Sequence, residues 1–163
     1  MGNKLYPIGI QSFEKLRNDG YLYIDKTALI YKLVKTGSYY FLSRPRRFGK
    51  SLLISTLEAY FQGKKELFDG LAIAGLEKDW VQYPILHIDL NISKYDSAQD
   101  LDDILNDYLT NWEALYGAAP SETSLALRFK GVVKRACEKT GQRVVILVDE
   151  YDKPRLQAIG NKE

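Results

Sequence analysis

The chain has 163 residues, 45% hydrophobic and 27% charged, with 23 Lys and Arg against 21 Asp and Glu. That length builds one domain with one core, and a net charge of +2 is too balanced to argue for a nucleic-acid or membrane partner from bulk charge. A single cysteine, Cys137, excludes an internal disulfide and a cysteine metal cluster, and no apolar run approaches a membrane span. The start, "MGNKLYPIGI", lacks the continuous apolar stretch of a signal peptide, so a reducing, cytoplasmic setting is expected.

In chain order, residues 11–19 have the pattern of a short helix stopped by Gly20, and 21–24 "YLYI" read as extended. Asp25 is placed to cap a helix over 26–36, with Gly37 as its stop. The aromatic stretch 38–42 "SYYFL" reads as a strand. Residues 51–62 carry Leu52, Leu53, Thr56, Leu57, Tyr60 and Phe61 at helical spacing, and Gly63 ends them. After a mixed stretch, 85–90 "ILHIDL" reads as a strand. A helix over 98–116 presents Leu101, Ile104, Leu105, Tyr108, Leu109 and Trp112 on one face, and a second helix is expected near 123–139, with Gly131 as an unfavourable interior residue. Residues 143–150 "RVVILVDE" are the clearest element: five apolar residues, four of them β-branched, predict a strand buried on both faces of a parallel sheet and ending in two acids. Strands alternating with helices give the α/β class.

The chemistry concentrates at two places. Gly49-Lys50-Ser51 matches the end of the phosphate-loop pattern G-x-x-x-x-G-K-[ST], but the pattern's first glycine is replaced by Arg44. Such a loop works through backbone N–H groups and the partial positive charge of the following helix. Gly49 supplies the permissive turn, Lys50 reaches the β- and γ-phosphates, and Ser51 offers its hydroxyl to magnesium. Pro45 fixes its own φ and biases Arg44 to extended geometry, so the loop start is stiffened rather than relaxed. Arg44, Arg46 and Arg47 add three guanidinium groups, which either contact phosphate or face solvent. The second place is the acidic end of "VVILVDE". A nucleotide hydrolase needs a carboxylate for magnesium and another group to activate water; Asp149 and Glu150 supply them in that order. His87 and Cys137 read as structural, the latter as a small packed residue. Asp89, at a strand end, is a weaker candidate for the phosphate site, and Asp100, Asp102, Asp103 and Asp107 read as a solvated helix face.

Taken together, "YIDKT" at 23–27, "FLSRPRRFGKSLL" at 41–53, "LFDGL" at 67–71 and "VDEYDKP" at 148–154 resemble the AAA-ATPase-like family, and the likeness spans nearly the whole chain. The resemblance implies a P-loop NTPase three-layer α/β/α fold with a mainly parallel sheet, usually followed by a PD-(D/E)XK nuclease-like domain. It implies Walker A at 44–51 and Walker B at 144–150. The nucleotide-binding set is then Arg44, Pro45, Arg46, Arg47, Phe48, Gly49, Lys50, Ser51 and Leu52. Ser51 and Asp149 are the magnesium ligands and Glu150 the catalytic residue, with ATP and Mg2+ as cofactors. In that family the loop is normally R-P-R-R-F-G-K-S, so Arg44 departs from the general pattern and not from this family's form of it.

The same resemblance gives a sheet order 5-1-4-3-2. If 38–42, 85–90 and 143–150 are strands 1, 2 and 3, strands 4 and 5 lie outside residues 1–163, as does the nuclease-like domain. The chain is therefore expected to be the N-terminal part of such a domain, with an open sheet edge, and binding is expected more readily than turnover. The partners implied are a nucleotide, nucleic acid through the outlying domain, and further copies of the chain, with no membrane. Two other functions fit the same residues: a nucleotide-binding regulatory module without hydrolysis, and an arginine-loop contact for nucleic-acid phosphates.

Overall fold

A computed structural model describes residues 5–42, 49–91 and 98–152. The chain forms two compact units, Met1–Gln82 and Tyr83–Glu163.

The first unit is helical. Helix α1 spans Phe13–Asn18, α2 Thr27–Thr36, α3 Lys50–Phe61 and α4 Ala72–Leu76, with a 3-10 turn over Lys65–Phe68. Ser12 starts α1: its Oγ accepts from Lys15 N at 3.2 Å. α1 packs on α3, and α2 on α4. The core is aromatic. Phe13 and Phe68 are both fully buried, with ring centroids 4.9 Å apart, and Trp80 joins Phe68 at 5.1 Å. Polar bonds then fix the packing. Phe13 N donates to Ser55 Oγ at 2.6 Å. Arg17 donates through Nε to Leu67 O at 2.7 Å and through Nη2 to Asp69 O at 2.6 Å, tying α1 to "LFDGL".

The second unit carries the sheet. Strands β1 (Ile85–Asp89) and β2 (Val145–Asp149) pair in parallel, and α5 (Ala98–Tyr116) and α6 (Leu125–Thr140) connect them. Both helices match the periodicity in the sequence. Leu86, Leu109, Trp112 and Val132 form the core, and Ile88, Phe129 and Val144 pack against it. Two ion pairs clamp α6: Arg128 to Glu113 at 2.7 Å and Arg135 to Glu122 at 2.7 Å. The interior glycine of α6 now has a reason. A Cβ on Gly131 would fall 1.9 Å from Glu122 Oε1, so glycine makes the room through which Glu122 reaches Arg135.

Three expectations are corrected. Residues 38–42 are not a strand: the described sheet consists of β1 and β2, while Tyr39 and Phe41 are 96% and 76% exposed. Aromatic β-propensity acts only where a neighbouring strand and a face to pack on are supplied. Nor is β2 buried on both faces. Leu147 and Asp149 are buried, but Ile146 and Val148 are 45% and 37% exposed. In parallel register Ile146 sits beside Leu86 and Val148 beside Ile88, and the helix layer packs on the β1 members and leaves their β2 neighbours open. Cys137 is exposed, not packed, because the buried stripe of α6 runs through Val132 and Ala136 and turns away from it.

Candidate functional site

The last glycine of the loop pattern opens a helix, although no strand over 38–42 leads into it. Gly49 is the N-cap of α3 with φ 77° and ψ 24°, in the left-handed region that glycine enters without a Cβ penalty. Leu53 N donates back to Gly49 O at 3.0 Å, closing the first turn. Lys50 and Ser51 are therefore the first two residues of a 12-residue helix, where backbone N–H groups lie without intrahelical acceptors. Lys50 is 8% exposed, and the first turn of α3 holds no acidic residue. Ser51 and Leu52 are half-buried. Arg44, Pro45, Arg46, Arg47 and Phe48 lie outside the described residues.

Asp149 closes β2 at 8% exposure, and its Oδ1 accepts from Glu150 N at 2.9 Å. Glu150 has φ 54°, one of two non-glycine residues with positive φ among the described residues. Backbone of this kind costs about 1–2 kcal/mol for a residue with a Cβ and tends to persist at functional positions. Asp89 ends β1 as the register partner of Asp149, and its Oδ1 accepts from Asn91 N at 2.8 Å. Ser51 and Asp149 offer a hydroxyl and a carboxylate, the hard oxygen donors that magnesium takes alongside phosphate and water. Among the described residues no group of three or more His, Cys, Asp or Glu could hold a metal ion by itself. Gly49, Lys50 and Ser51 belong to the first unit, Asp149 and Glu150 to the second.

The "YIDKT" stretch proves to be a latch. Asp25 Oδ1 accepts from Thr27 N at 2.8 Å and from Thr27 Oγ1 at 2.6 Å. Its Oδ2 accepts from Ala72 N at 2.7 Å. Thr27, fully buried, accepts from Ile73 N through Oγ1 at 3.1 Å. One carboxylate and one hydroxyl thus hold the N-termini of α2 and α4 together. Burial pushes the Asp25 carboxyl up, but the Thr27 and Ala72 donors outweigh it and hold it below its ordinary value. The cap itself is visible in the sequence as Asp-x-Thr; its partner 47 residues away is not.

The sequence also gives no sign of a cavity of about 600 Å³ in the first unit, which Gly49, Leu52 and Leu53 border. Its other lining comes from residues whose local pattern says only helix or extended segment.

Among the described residues no helix is long and apolar enough to cross a membrane. No solved structure matches the chain. An uncharacterised protein from the vnfD 5′ region of Azotobacter chroococcum mcd 1 is 42% identical over 165 residues, covering 100% of this chain and 32% of that protein. The chain thus spans about a third of that relative. The profile of a family described as "Predicted AAA-ATPase" matches residues 7–163, and on that match the chain belongs to the AAA-ATPase-like family.

Proposed function

We propose that this chain is the nucleotide-binding part of an ATPase, taking ATP with magnesium. The observation that carries the reading is the start of α3: a left-handed Gly49 that caps a 12-residue helix opening with Lys50 and Ser51, whose N-terminal backbone N–H groups suit an anion. Backbone N–H groups there receive the phosphates, and the Lys50 ammonium adds a point charge on the β- and γ-oxygens. By their places in the two motifs, Ser51 would offer a hydroxyl and Asp149 a carboxylate to magnesium, which would supply positive charge to the phosphate oxygens. Glu150, next to Asp149 along the chain, orients and deprotonates the attacking water. Its left-handed backbone keeps the strand end from continuing straight on. The parallel pairing of β1 with β2 supports a P-loop three-layer fold, since strands 2 and 3 are neighbours in the order 5-1-4-3-2. In longer relatives such a domain would energise or gate an attached nuclease-like or nucleic-acid-processing domain.

Phosphate release with Glu150→Gln tests the catalytic part. Retained ATP binding with turnover reduced at least about a hundredfold fits a positioned general base. Binding with no turnover by the wild-type chain would instead make this a nucleotide-held regulatory module.

A further inference from the structure

The peptide between Asp89 and Leu90, at the end of β1, is gripped from both edges. Its N–H, on Leu90, donates to Asp149 O of β2 at 3.1 Å. Its carbonyl, Asp89 O, points to the other edge of the strand and accepts from the Tyr108 hydroxyl at 3.2 Å. The same hydroxyl accepts from Asp89 N at 3.0 Å. A phenol both donates and accepts, so one oxygen serves both main-chain groups. The Tyr108 ring is set by packing: it stacks on Trp112 of the same helix, with centroids 5.5 Å apart and 27° between the planes, and it packs against the core of the second unit. The series continues past β2. Asp149 O, which takes the Leu90 N–H, belongs to the Asp149–Glu150 peptide, and that peptide's own N–H donates to Asp149 Oδ1 at 2.9 Å. A hydroxyl on α5, two peptide units and a buried carboxylate thus stand in line. Hydrogen-bonded units in series polarise one another, so a loss at one end is felt at the other.

We propose that Tyr108 is a positioning residue for the acidic end of β2: through the two peptides it orients the Asp149 carboxylate for magnesium and holds the Glu150 main chain beside it. This role rests on the magnesium reading of Asp149. Tyr108 bonds directly to neither acid; it fixes the plane of the Asp89–Leu90 peptide, and that plane fixes the plane of the next. A metal ligand gains affinity from being held in place before the ion arrives, and a small misplacement at its support is enough to lose that gain. The relay uses the main chain of Asp89 and not its carboxylate, so the Asp89 side chain is outside it. In the sequence Tyr108 is only one member of the apolar face of α5, and its hydroxyl acquires this role from a strand end 19 residues away.

ATP binding with magnesium and with EDTA, measured by calorimetry on the wild type, Y108F, D149N, the double variant Y108F/D149N and V132A, tests this. Y108F removes one oxygen and keeps the ring; V132A opens a hole in the same core from α6 and leaves the relay whole. The quantity read is the affinity gained from magnesium. Y108F should lower that gain at least about threefold while leaving binding in EDTA unchanged, and V132A, destabilised at least as much in urea, should keep the gain. In the D149N background Y108F should change the gain by less than about 1.5-fold, because the hydroxyl acts through that carboxylate. A gain that Y108F keeps, or loses equally in both backgrounds, or that V132A also loses, overturns the positioning role and leaves the magnesium reading standing. A wild type that binds ATP equally with and without magnesium overturns the magnesium reading, and the role with it. Hydrogen exchange reads the relay without nucleotide: the Leu90 and Glu150 amides should exchange at least about fivefold faster in Y108F than in V132A, as local opening of the strand ends. A Glu150 amide that exchanges alike in the two variants overturns the relay.

Discussion

Asp89 and Asp149 are register partners at the C-terminal ends of two parallel strands, so their side chains leave the same face of the sheet side by side. The C-terminal edge of such strands is where α/β sheets take their ligands. The two acids are not equivalent. Asp89 Oδ1 is engaged by Asn91 N in a turn that closes β1, whereas Asp149 is buried and holds the backbone of Glu150. Asp149→Asn is therefore expected to lower magnesium-dependent ATP affinity at least about tenfold, or about 1.4 kcal/mol. Asp89→Asn is expected to lower it less than about threefold. Calorimetry with and without magnesium checks both, and the reverse order would move the metal role to β1.

Glu150 at φ 54° makes a prediction about stability that is independent of catalysis. Glycine at this position relieves the left-handed penalty while adding chain entropy to the unfolded state, and the two effects are similar in size. Glu150→Gly should stay within about 0.5 kcal/mol of the wild type, and Glu150→Val should lose about 1–2 kcal/mol, because a β-branched side chain tolerates this region worst. Urea unfolding of the two variants compares them directly.

The latch between α2 and α4 should dominate the stability of the first unit. Thr27→Val keeps the shape of the side chain but leaves the buried Ile73 N–H without its acceptor, at a cost of about 2 kcal/mol. Asp25→Ala removes the acceptor of Thr27 and Ala72 together and should cost about 1–2 kcal/mol. Thr27→Ser, which keeps the hydroxyl, should recover most of the loss. If Thr27→Val unfolds at the wild-type urea midpoint, the latch is not holding the helices.

Glu77 links the same unit to pH. Burial raises its carboxyl, but the Tyr60 hydroxyl, Lys35 at 2.9 Å and the Asp79 N–H together bring it down to about 2. A carboxyl depressed in the folded state contributes stability above its unfolded value, and that contribution is lost as pH falls. The window runs from the ordinary glutamate value, about 4.5, down to about 2. Thermal unfolding scans between pH 7 and pH 2.5 should show the wild type losing stability in that window and Glu77→Gln losing less. Parallel curves for the two proteins would show that Glu77 does not carry the acid sensitivity.

Gly131 gives a coupling that neither residue shows alone. Alanine normally improves a helix interior by about 1 kcal/mol over glycine, but here its Cβ displaces the Glu122 carboxylate from Arg135. Gly131→Ala should therefore stabilise by about 1 kcal/mol in a Glu122→Ala background and by clearly less in the wild type. A double-mutant cycle on unfolding free energies measures the difference.

What was legible in the sequence follows from where the determining forces lie. Helices α1, α2, α3, α5 and α6 were readable because their stops and apolar stripes are local: Gly20, Gly37, Gly63 and the face from Leu101 to Trp112 all act within a few residues, whereas α4 and the 3-10 turn lie in a stretch that read only as mixed. The β1 and β2 strands were readable from their apolar runs. The 38–42 stretch misled because β-propensity does not by itself place Tyr39 and Phe41 in the described sheet, and the exposure of Ile146 and Val148 depends on how far the helix layer reaches. At the candidate site, Gly49, Lys50 and Ser51 and the acids Asp149 and Glu150 were named from spacing alone. The cavity wall from Tyr6 to Leu53 was not, since apolar residues from several segments carry no signal until the fold assembles them.

The central claim is that the start of α3 receives the phosphates of a nucleotide, and magnesium-dependent ATP binding by isothermal calorimetry on the wild type and on Lys50→Ala tests it most directly. The account predicts micromolar affinity for the wild type, at least a hundredfold loss in Lys50→Ala, and the same circular dichroism spectrum for both. A well-folded wild type that binds no Mg-ATP, or a Lys50→Ala variant that binds as tightly, would contradict it.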